Sequence, residues 1–549
     1  VLLPRPVRRS ATPRSGAAAH RPTGTAAGRA GDRIARMQGP LDRSCLRLPA
    51  IGACALLGLL AALLPRPALA IDGLVIEARR VTGAGVVARD VRLQLDLAQP
   101  ARPAAQLRAA RIDIDGGLGR VTHLEIRCAA PALDAPRFGC PRAVVRSTDS
   151  PIGPLEFAAS AWLDTESGVF ETRGERIPLG GGRARFKVRS TPRDWDVEGG
   201  LDAVTLPGLR NWLGRFLTLP ADLSVEGRID GSGTLHGRDS LERGRIALQL
   251  ANANFSNEAG TTVGENLALQ LEADLAAARA DAVAVRARLS GASGQALAGP
   301  VLLDLGANPL QAQLVAEWRG DVLEVTRLAL EQRNLLQATG SARLRFADGA
   351  PLVQRARLEL AKVEMPAAYT SFLQIALATT DFGTLETSGS LSGLVELADD
   401  TVVRADAELA GLDLRDTRGR LWMKQLRGAL HWAAAGAARP GASHIEWNEG
   451  GAYGLAGGAA RLDFAAQGLG VTLLKPARLP VFDGALAIRE FALREAAAAR
   501  QALEFEGDIE PISMPQLAKA FGWPEFAGTL SGRIPRVEFR DKLLTFGGD

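Results

Sequence analysis

The sequence predicts an all-β protein: an elongated, repetitive antiparallel β-sheet that curls into an apolar groove and carries a few short amphipathic helices. Three observations lead to this fold class. Apolar and polar residues alternate with a period of two, short connections join the alternating segments, and a longer pattern recurs at intervals of 159 and 149 residues. The pattern lacks the long helices between strands that are typical of Rossmann and TIM-barrel folds.

The alternation of apolar and polar residues is clearest in seven segments, at 91–97, 183–189, 245–250, 267–272, 342–346, 356–360 and 461–464. Successive side chains of a strand point to opposite faces, so each segment has one apolar and one more polar face. Connections this short join neighbouring strands as antiparallel hairpins. The apolar faces must pack against a second sheet, as in a sandwich, or line the inside of one curled sheet.

The longer pattern is [V/I]-x-[L/M]-P, then a short helical stretch, then G-x-[L/I]-x-G. It occurs three times, with its prolines at Pro207, Pro366 and Pro515. Pro suits the first turn of a helix, where its missing N–H costs nothing. We expect each helix to place one apolar stripe on the sheet and to close off part of its apolar face. The stripes comprise Leu206, Leu209, Leu213 and Phe216; Met365, Tyr369, Phe372 and Leu373; and Met514, Leu517 and Phe521.

This repeat divides the chain into six parts. We expect a disordered basic leader at 1–36, a signal peptide at 37–70, an N-terminal β region at 71–200, a first groove repeat at 201–360, a second at 361–510 and the start of a third at 511–549. In a repeat array each unit buries its face against its neighbour. Since the third copy has only begun at Asp549, we expect the natural protein to continue with more of the array.

The first 70 residues predict export. The stretch 51–64 is apolar but shorter than a membrane span requires, and it is followed by Ala68-Leu69-Ala70, a small-residue cleavage pattern. We expect cleavage after Ala70 and a location in the periplasm or cell envelope. The alternative is a retained inner-membrane anchor. Residues 1–36 are either a translated upstream artefact before a true start at Met37 or a disordered basic tail.

The body of the protein is mildly acidic, although the whole chain carries a net charge of +4. Eleven of the 65 basic and two of the 61 acidic residues fall within 1–70, so 71–549 carries −5. That charge argues against a nucleic-acid partner, which would require a basic stripe. Aromatic residues make up only 5% of the chain, too few for stacking on bases or sugars. A surface rich in Leu, Ala and Val suits packing or aliphatic ligands.

Two cysteines remain after the predicted cleavage, Cys128 and Cys140, and a Pro-containing loop separates them. In an exported protein this arrangement predicts one local disulfide. The five histidines are scattered, and the sequence contains no G-x-S-x-G elbow, P-loop or H-E-x-x-H motif. We therefore expect no enzyme, no catalytic residue, no metal and no cofactor.

These features resemble the AsmA-like proteins of Gram-negative envelopes, most closely the YdbH-like group that is related to TamB. The likeness lies in the N-terminal hydrophobic segment, the Leu-rich strands, the recurring G-x-L-x-G and the helices that open with [L/M]-P. It extends over 71–549 and is clearest at 513–537. The resemblance implies a long apolar β-groove, anchored at the inner membrane, that conducts phospholipids toward the outer membrane without catalytic residues. The cleavable leader departs from that pattern, since attachment would then need a partner.

The sequence and the resemblance together predict that phospholipid acyl chains bind along the apolar face. Membrane-associated envelope proteins are the other expected partners. The alternative is an envelope assembly or scaffold protein that pairs its edge strands with outer-membrane β-barrel components; an adhesin ranks third and an enzyme fourth. For each predicted groove residue, an ordinary structural role in the core of the sheet is an equally good explanation. The ten groove candidates are Phe186, Val188, Leu248, Leu250, Leu267, Leu269, Leu344, Phe346, Leu358 and Leu360.

Overall fold

The computed structural model describes most of the chain after the predicted leader. The described residues are 72–83, 86–99, 102–114, 119–213, 222–279, 281–347, 350–380, 382–452, 455–496, 500–540 and 543–546. All of them belong to one compact unit, Arg43–Asp549. The predicted basic leader and signal peptide, with the cleavage site after Ala70, lie outside the described residues.

The described residues form 31 strands in one sheet. The first fifteen are β1 (Gly73–Gly83), β2 (Val86–Asp96), β3 (Ala104–Ile114), β4 (Gly119–Cys128), β5 (Arg137–Ser147), β6 (Leu155–Asp164), β7 (Val169–Leu179), β8 (Gly182–Ser190), β9 (Trp195–Thr205), β10 (Ser224–Gly237), β11 (Leu241–Ser256), β12 (Thr262–Arg279), β13 (Ala282–Ala298), β14 (Val301–Asp304) and β15 (Leu310–Arg319).

The remaining strands are β16 (Val322–Gln332), β17 (Leu336–Ala347), β18 (Ala350–Met365), β19 (Leu385–Ala398), β20 (Thr401–Asp416), β21 (Leu421–Ala433), β22 (Ser443–Trp447), β23 (Glu449–Ala452), β24 (Leu455–Gly457), β25 (Ala460–Gln467), β26 (Gly470–Leu473), β27 (Ala477–Val481), β28 (Gly484–Ala496), β29 (Arg500–Ser513), β30 (Thr529–Arg540) and β31 (Leu543–Phe546).

Helices are few and short among these residues. They are α1 (Leu206–Leu213), a π-helix (Tyr369–Leu373) continued by α2 (Gln374–Leu377), and α3 (Met514–Phe521). They follow β9, β18 and β29. Two of them, α1 and α3, begin at the third residue of a copy of [V/I]-x-[L/M]-P, and the π-helix begins three residues after Pro366. Proline stands in the first turn of α3, as its fixed φ favours.

Successive strands pair antiparallel along almost the whole sheet, as in the β10–β11, β11–β12 and β12–β13 hairpins. The main irregularities are short extra strands. For example, β14 pairs with one end of β13 while β15 pairs with the other, and β21 makes a brief parallel contact with β25. This single long antiparallel sheet with a few short helices confirms the predicted fold class.

A β-bulge recurs where the first two copies of G-x-[L/I]-x-G begin, at Gly227 and Gly389. Gly227, Gly389 and Gly528 have φ of 124°, 100° and 113°, a region that favours glycine. A Cβ on Gly227 would also lie 2.8 Å from the Cα of Ala253. The first glycine of the motif is therefore required by the backbone, not by a ligand.

One hydrogen bond recurs at equivalent positions of the first and second repeats. The backbone N–H of Asn266 donates to Oδ1 of Asn254 at 2.8 Å. In the equivalent place, 159 residues later, the backbone N–H of Gln425 donates to Oδ1 of Asp413 at 2.8 Å. Asn266 and Gln425 both have positive φ, 50° and 56°. The sheet thus repeats its irregularities as well as its strands.

The predicted boundaries between the β regions fall inside strands. Residues 201, 361 and 511 lie within β9, β18 and β29, and each of these strands is hydrogen-bonded to neighbours on both sides. The sheet is therefore continuous where the repeats meet.

The expected apolar stripes of the helices are only partly correct. Leu209 and Tyr369 are buried, but Leu373 and Phe521 are 44% and 46% exposed. Leu373 belongs to a π-helix, whose wider turn shifts side chains away from the face that a period of 3.6 predicts. Phe521 is the last residue of α3, directly before Gly522, which ends the helix with φ 65°.

Cys128 and Cys140 are joined by a disulfide, with their Cα atoms 6.0 Å apart. The bond links the end of β4 to the beginning of β5, and Cys128 is buried. A cross-link over a short loop constrains the unfolded chain and so stabilises the N-terminal part of the sheet.

Candidate functional site

One face of the sheet is apolar from its first described strand to its last. Residues that pair directly across antiparallel strands point to the same side, so the face can be followed from pair to pair. Leu95 pairs with Leu74, Leu250 with Leu269, and Leu503 with Phe539. We call this surface the apolar face and its reverse the polar face.

All ten predicted groove residues lie on the apolar face. The cross-strand pairs that establish this are Phe186–Gly199, Val188–Val197, Leu248–Leu271, Leu250–Leu269, Leu267–Ala253, Leu344–Val353, Phe346–Pro351, Leu358–Val395 and Leu360–Gly393. Nine of the ten side chains are half-buried, and Leu267 alone is buried. The face is thus partly covered by its own neighbours but is not closed as a protein core is.

The three helices lie where strands end on one side of the sheet. We call this border of strand ends the helix edge. Eight antiparallel steps separate β9 from β18, and eight more separate β18 from β29, so these strands run in the same direction and end at the same edge. Each of these strands leads directly into a helix. The opposite edge carries only hairpin connections between β8 and β20, and we call it the tip edge.

Along the helix edge, packed apolar side chains cover the apolar face. Leu206 of α1 and the partly buried Leu250 and Leu269 pack on a buried cluster formed by Ala253, Leu267 and Leu305. This packing divides the ten predicted groove residues into two groups. Leu250, Leu267 and Leu269 belong to a filled core, whereas the other seven candidates lie outside it.

The second copy closes its helix edge in the same way. Met365, which stands at the end of β18 where Leu206 follows β9, packs on a buried cluster of Leu409, Leu412 and Leu426. These three residues lie 159 positions after Leu250, Ala253 and Leu267. The core of each repeat is therefore the same structure, built on equivalent strand positions.

Outside these clusters, large side chains rest on glycines of the neighbouring strand. A Cβ on Gly231 would lie 2.6 Å from Cδ2 of Leu248, and one on Gly244 would lie 2.7 Å from Cδ2 of Leu235. The ring of Phe186 covers Gly174 in the same way. These side chains lie low on the sheet because the glycine beneath them has no side chain.

The polar face carries a ladder of paired charges. Arg343 donates to Glu324 at 2.9 Å and Arg357 to Glu396 at 2.6 Å. A hydrogen bond from Arg111 holds the pKa of the Asp113 carboxyl below its ordinary value. Exposed pairs of this kind contribute little stability each, but they keep this face hydrated. The two faces therefore differ sharply in the ligands that they can accept.

An open depression of about 590 Å³ lies on the polar face across β8 to β12. Its lining mixes basic and acidic side chains. Arg245 pairs with Asp274 at 2.9 Å, and His236 Nδ1 lies 2.8 Å from Oδ1 of Asp196. Such a mixed lining favours neither an anionic nor a cationic ligand.

Within the described ranges, no three His, Cys, Asp or Glu side chains come together as a metal site requires. His431 Nδ1 lies 2.8 Å from Oδ1 of Asp406, but the nearby Ser443 hydroxyl bonds the backbone of His431 and not its ring. Ser443 and His431 are therefore not arranged as a nucleophile and its general base. That the protein is not an enzyme remains a prediction.

Sequence reasoning missed the glycines beneath the large side chains and the division of the face by the helices. Alternation in the sequence assigned the correct face, but it cannot show which apolar residues are sealed. The signal for the glycine partners was present, because Gly231 occupies an apolar-face position of its strand. Recognising it requires the register between strands.

Among the described helices, none combines the length and the apolar character that a membrane-spanning helix needs. Comparison with known proteins gives no family model that matches the chain, no similar curated protein and no similar solved structure.

Proposed function

We propose that this protein is an AsmA-like, YdbH-like periplasmic bridge. It binds the acyl chains of phospholipids on its apolar face and conducts them along the sheet between the inner and outer membranes. The observation that carries the proposal is the continuity of the apolar face. Cross-strand pairs keep apolar residues on one side from β1 to β31, and most of them remain half-buried.

The proposed mechanism is passive. An acyl chain laid on the apolar face replaces water against Leu, Val and Phe side chains, and each buried methylene contributes about 0.8 kcal/mol. Because successive strands offer similar surfaces, a chain can move from one strand to the next without a large change in free energy. The headgroup stays in water, since the apolar face offers it few hydrogen-bonding partners.

The seven groove candidates outside the packed clusters, which we call the open strip, support this proposal better than Leu250, Leu267 and Leu269 do. Phe186, Leu248 and Leu358 lie low over glycines or beside them and outside the packed clusters. We therefore assign the acyl chains to this open strip and the helix edge to structural support.

The test is the lipid content of the full chain, expressed with its own leader, purified and freed of detergent. Organic extracts are analysed by mass spectrometry for the wild type, Leu248→Asp and Gln249→Asp. Leu248 and Gln249 are neighbours on β11 that point to opposite faces. We expect several phospholipids per wild-type chain, the same number for Gln249→Asp, and a large loss for Leu248→Asp.

Circular dichroism must show that each variant remains folded. If Leu248→Asp unfolds, the smaller change Leu248→Ser replaces it in the same comparison. A folded wild-type protein without bound lipid, or equal lipid in the two Asp variants, would contradict the proposal.

The alternative, a scaffold that pairs with outer-membrane β-barrel components, is favoured by an edge strand of the sheet. Among the described strands, β1 pairs only with β2. A strand with one unpaired side can accept another strand by backbone hydrogen bonds. Proline substitutions in β1 that abolish partner capture while leaving lipid content unchanged would support this function.

A further inference from the structure

Charge is distributed unevenly along the sheet. The five strands β1 to β5 contain eleven arginines and five acidic residues, whereas the next five, β6 to β10, contain seven basic and nine acidic residues. Residues 71–147 hold 12 basic and 8 acidic residues and so carry +4; since 71–549 carries −5, the rest of the body carries −9. The acidic body of the protein therefore begins with a basic region.

The arginines of this region are concentrated on the polar face. The register places Arg89 opposite Arg111, and Arg92 opposite Arg108. Direct cross-strand partners point to the same side. Their neighbours Leu93 and Leu107 are partners on the apolar face, so the arginines point to the reverse. We call the polar face of β1 to β4 the basic patch.

Three cross-strand pairs in the basic patch bring arginine directly opposite arginine, at Arg80–Arg89, Arg89–Arg111 and Arg92–Arg108. Like charges in this position destabilise a sheet. The stability of the sheet alone would favour acidic or neutral partners. An anionic partner outside the chain gives these pairs a physical reason, because it would neutralise charges that repel one another within the sheet.

One carboxylate of the basic patch is shared by three arginines. Asp113 lies 2.7 Å from Arg111, 3.0 Å from Arg120 and 3.9 Å from Arg89. The three arginine side chains are 37%, 55% and 53% exposed, and a single carboxylate cannot neutralise all of them. Arg80 is exposed and makes no ion pair with any described residue. Guanidinium groups thus remain available to an anion from solvent.

The other acids of these strands do not cancel the excess. Glu125 is likewise shared, since it lies 3.1 Å from Arg108 and 3.0 Å from Arg127. Asp90 and Asp96 are already among the five acids that stand against the eleven arginines of β1 to β5. The basic patch therefore differs from the rest of the polar face, where basic and acidic residues are nearly equal in number.

Apolar side chains are exposed beside these arginines. Val75 of β1 and Val144 of β5 are 49% and 37% exposed. Cross-strand pairing places both in one row of the polar face, which runs through Gln94, Gln106 and Arg127. Basic side chains together with exposed apolar ones are the combination by which peripheral proteins bind anionic membranes.

We propose that the basic patch binds the surface of a membrane that contains anionic phospholipids. This inference rests on the proposed function, since a bridge that conducts phospholipids must meet a membrane where lipids enter or leave it. Among the described strands β1 pairs only with β2, so the patch lies at an end of the sheet. On the reverse of the same strands, Leu74 and Leu95 begin the apolar face. Guanidinium groups bind lipid phosphates through paired hydrogen bonds.

The test measures co-sedimentation of the full chain, expressed with its own leader, with vesicles of phosphatidylcholine and with vesicles that also contain phosphatidylglycerol. We expect the wild type to prefer the anionic vesicles and to lose this preference as salt is added. Each arginine near such a surface contributes roughly fivefold to binding. Arg80→Gln/Arg89→Gln/Arg108→Gln should therefore weaken binding to anionic vesicles by at least about tenfold. Asp113 and Glu125 keep other arginine partners in this variant.

The matched control is Arg286→Gln/Arg288→Gln/Arg327→Gln. It removes the same charge from exposed residues of β13 and β16 on the polar face, so it should bind as the wild type does. Arg80→Lys/Arg89→Lys/Arg108→Lys should retain most of the binding, because the positive charges remain. Any contribution of the leader is the same in every variant.

Equal binding of the wild type to both kinds of vesicle, or equal losses in the patch variant and the control, would overturn the inference. Retention on immobilised polyglutamate without binding to anionic vesicles would also overturn it, in favour of an acidic protein partner. The lipid content of the purified wild type decides the proposed function separately. A wild type that carries phospholipid but does not prefer anionic vesicles therefore contradicts this inference alone.

Discussion

Leu248 lies over Gly231 of the neighbouring strand, and a Cβ added to that glycine would stand 2.6 Å from Cδ2 of the leucine. The two residues are direct cross-strand partners on the apolar face. A glycine opposite a large residue keeps the face low without placing a polar atom in it. How far the side chains of the open strip rise above the sheet therefore depends on glycines, which contribute no side chain themselves.

The first prediction concerns this contact. Gly231→Ala should push the Leu248 side chain away from the sheet and into the open strip, reducing bound phospholipid without adding charge. The control is Gly200→Ala, whose Cβ would instead meet the Arg185 side chain, 2.8 Å from Nε, on the polar face. Lipid content by mass spectrometry should fall in the first variant only. Equal lipid in both variants would show that acyl chains do not pass over Leu248.

The second prediction separates sealed core from open strip. Leu267 is 6% exposed and central to its cluster, so Leu267→Ala should lower the free energy of unfolding by about 2–4 kcal/mol through the cavity it leaves. Leu248→Ala should cost roughly half as much, since its side chain is half-buried. Urea denaturation measures both. Equal costs would mean that the helix edge is not more tightly packed.

The third prediction tests the repeated hydrogen bond. Asp413→Ala removes the acceptor of the partly buried Gln425 N–H and should cost about 1–2 kcal/mol. Asn254→Ala, at the equivalent but exposed position, should cost less. Asp413→Asn keeps an acceptor oxygen and serves as the control. The stabilising role of this hydrogen bond would be contradicted if Asp413→Asn were as destabilising as Asp413→Ala.

The fourth prediction is a loss of stability in acid. Asp416 is 1% exposed and accepts hydrogen bonds from Arg420 and from Thr384, both at 2.8 Å. Its hydrogen bond to Arg420 holds the pKa of this carboxyl far below its usual range. The stabilisation is therefore present above the unfolded pKa of about 3.9 and is lost as the pH falls toward the folded value.

Asp416→Asn should accordingly lower the unfolding temperature at pH 7 and reduce the further loss between pH 5 and pH 3. Glu359→Gln is the control, because Glu359 is exposed and pairs with Arg357 at 3.5 Å only. Differential scanning calorimetry across this pH range provides the measurement. A variant as acid-sensitive as the wild type would exclude Asp416 as a source of the effect.

Much of the fold was predictable because apolar and polar residues alternate along the strands. A period of two assigns faces correctly at Phe186 or Leu358 whatever the neighbouring strands do. The short helices were marked by proline after a strand, as at Pro207 and Pro515. Spacing alone, however, could not identify the π-helix that leaves Leu373 exposed.

The site was less predictable, because burial depends on strand register and on the helices. Leu267 and Leu248 have the same local pattern, yet only Leu267 lies against a cluster that α1 covers. The tryptophans of the tip edge are far apart in the sequence, and only the strand order brings Trp195 and Trp318 to one border. Their shared position could not be inferred from spacing.

The most direct test of the central claim is photo-crosslinking with a phospholipid that carries a diazirine in its acyl chain. Crosslinked residues of the full chain are mapped by mass spectrometry. Neighbouring residues of one strand, such as Phe186 and Lys187 or Leu358 and Glu359, point to opposite faces. We predict crosslinks at Phe186, Leu248, Leu344 and Leu358. Crosslinks spread equally over both faces, or confined to the polar face, would contradict the account.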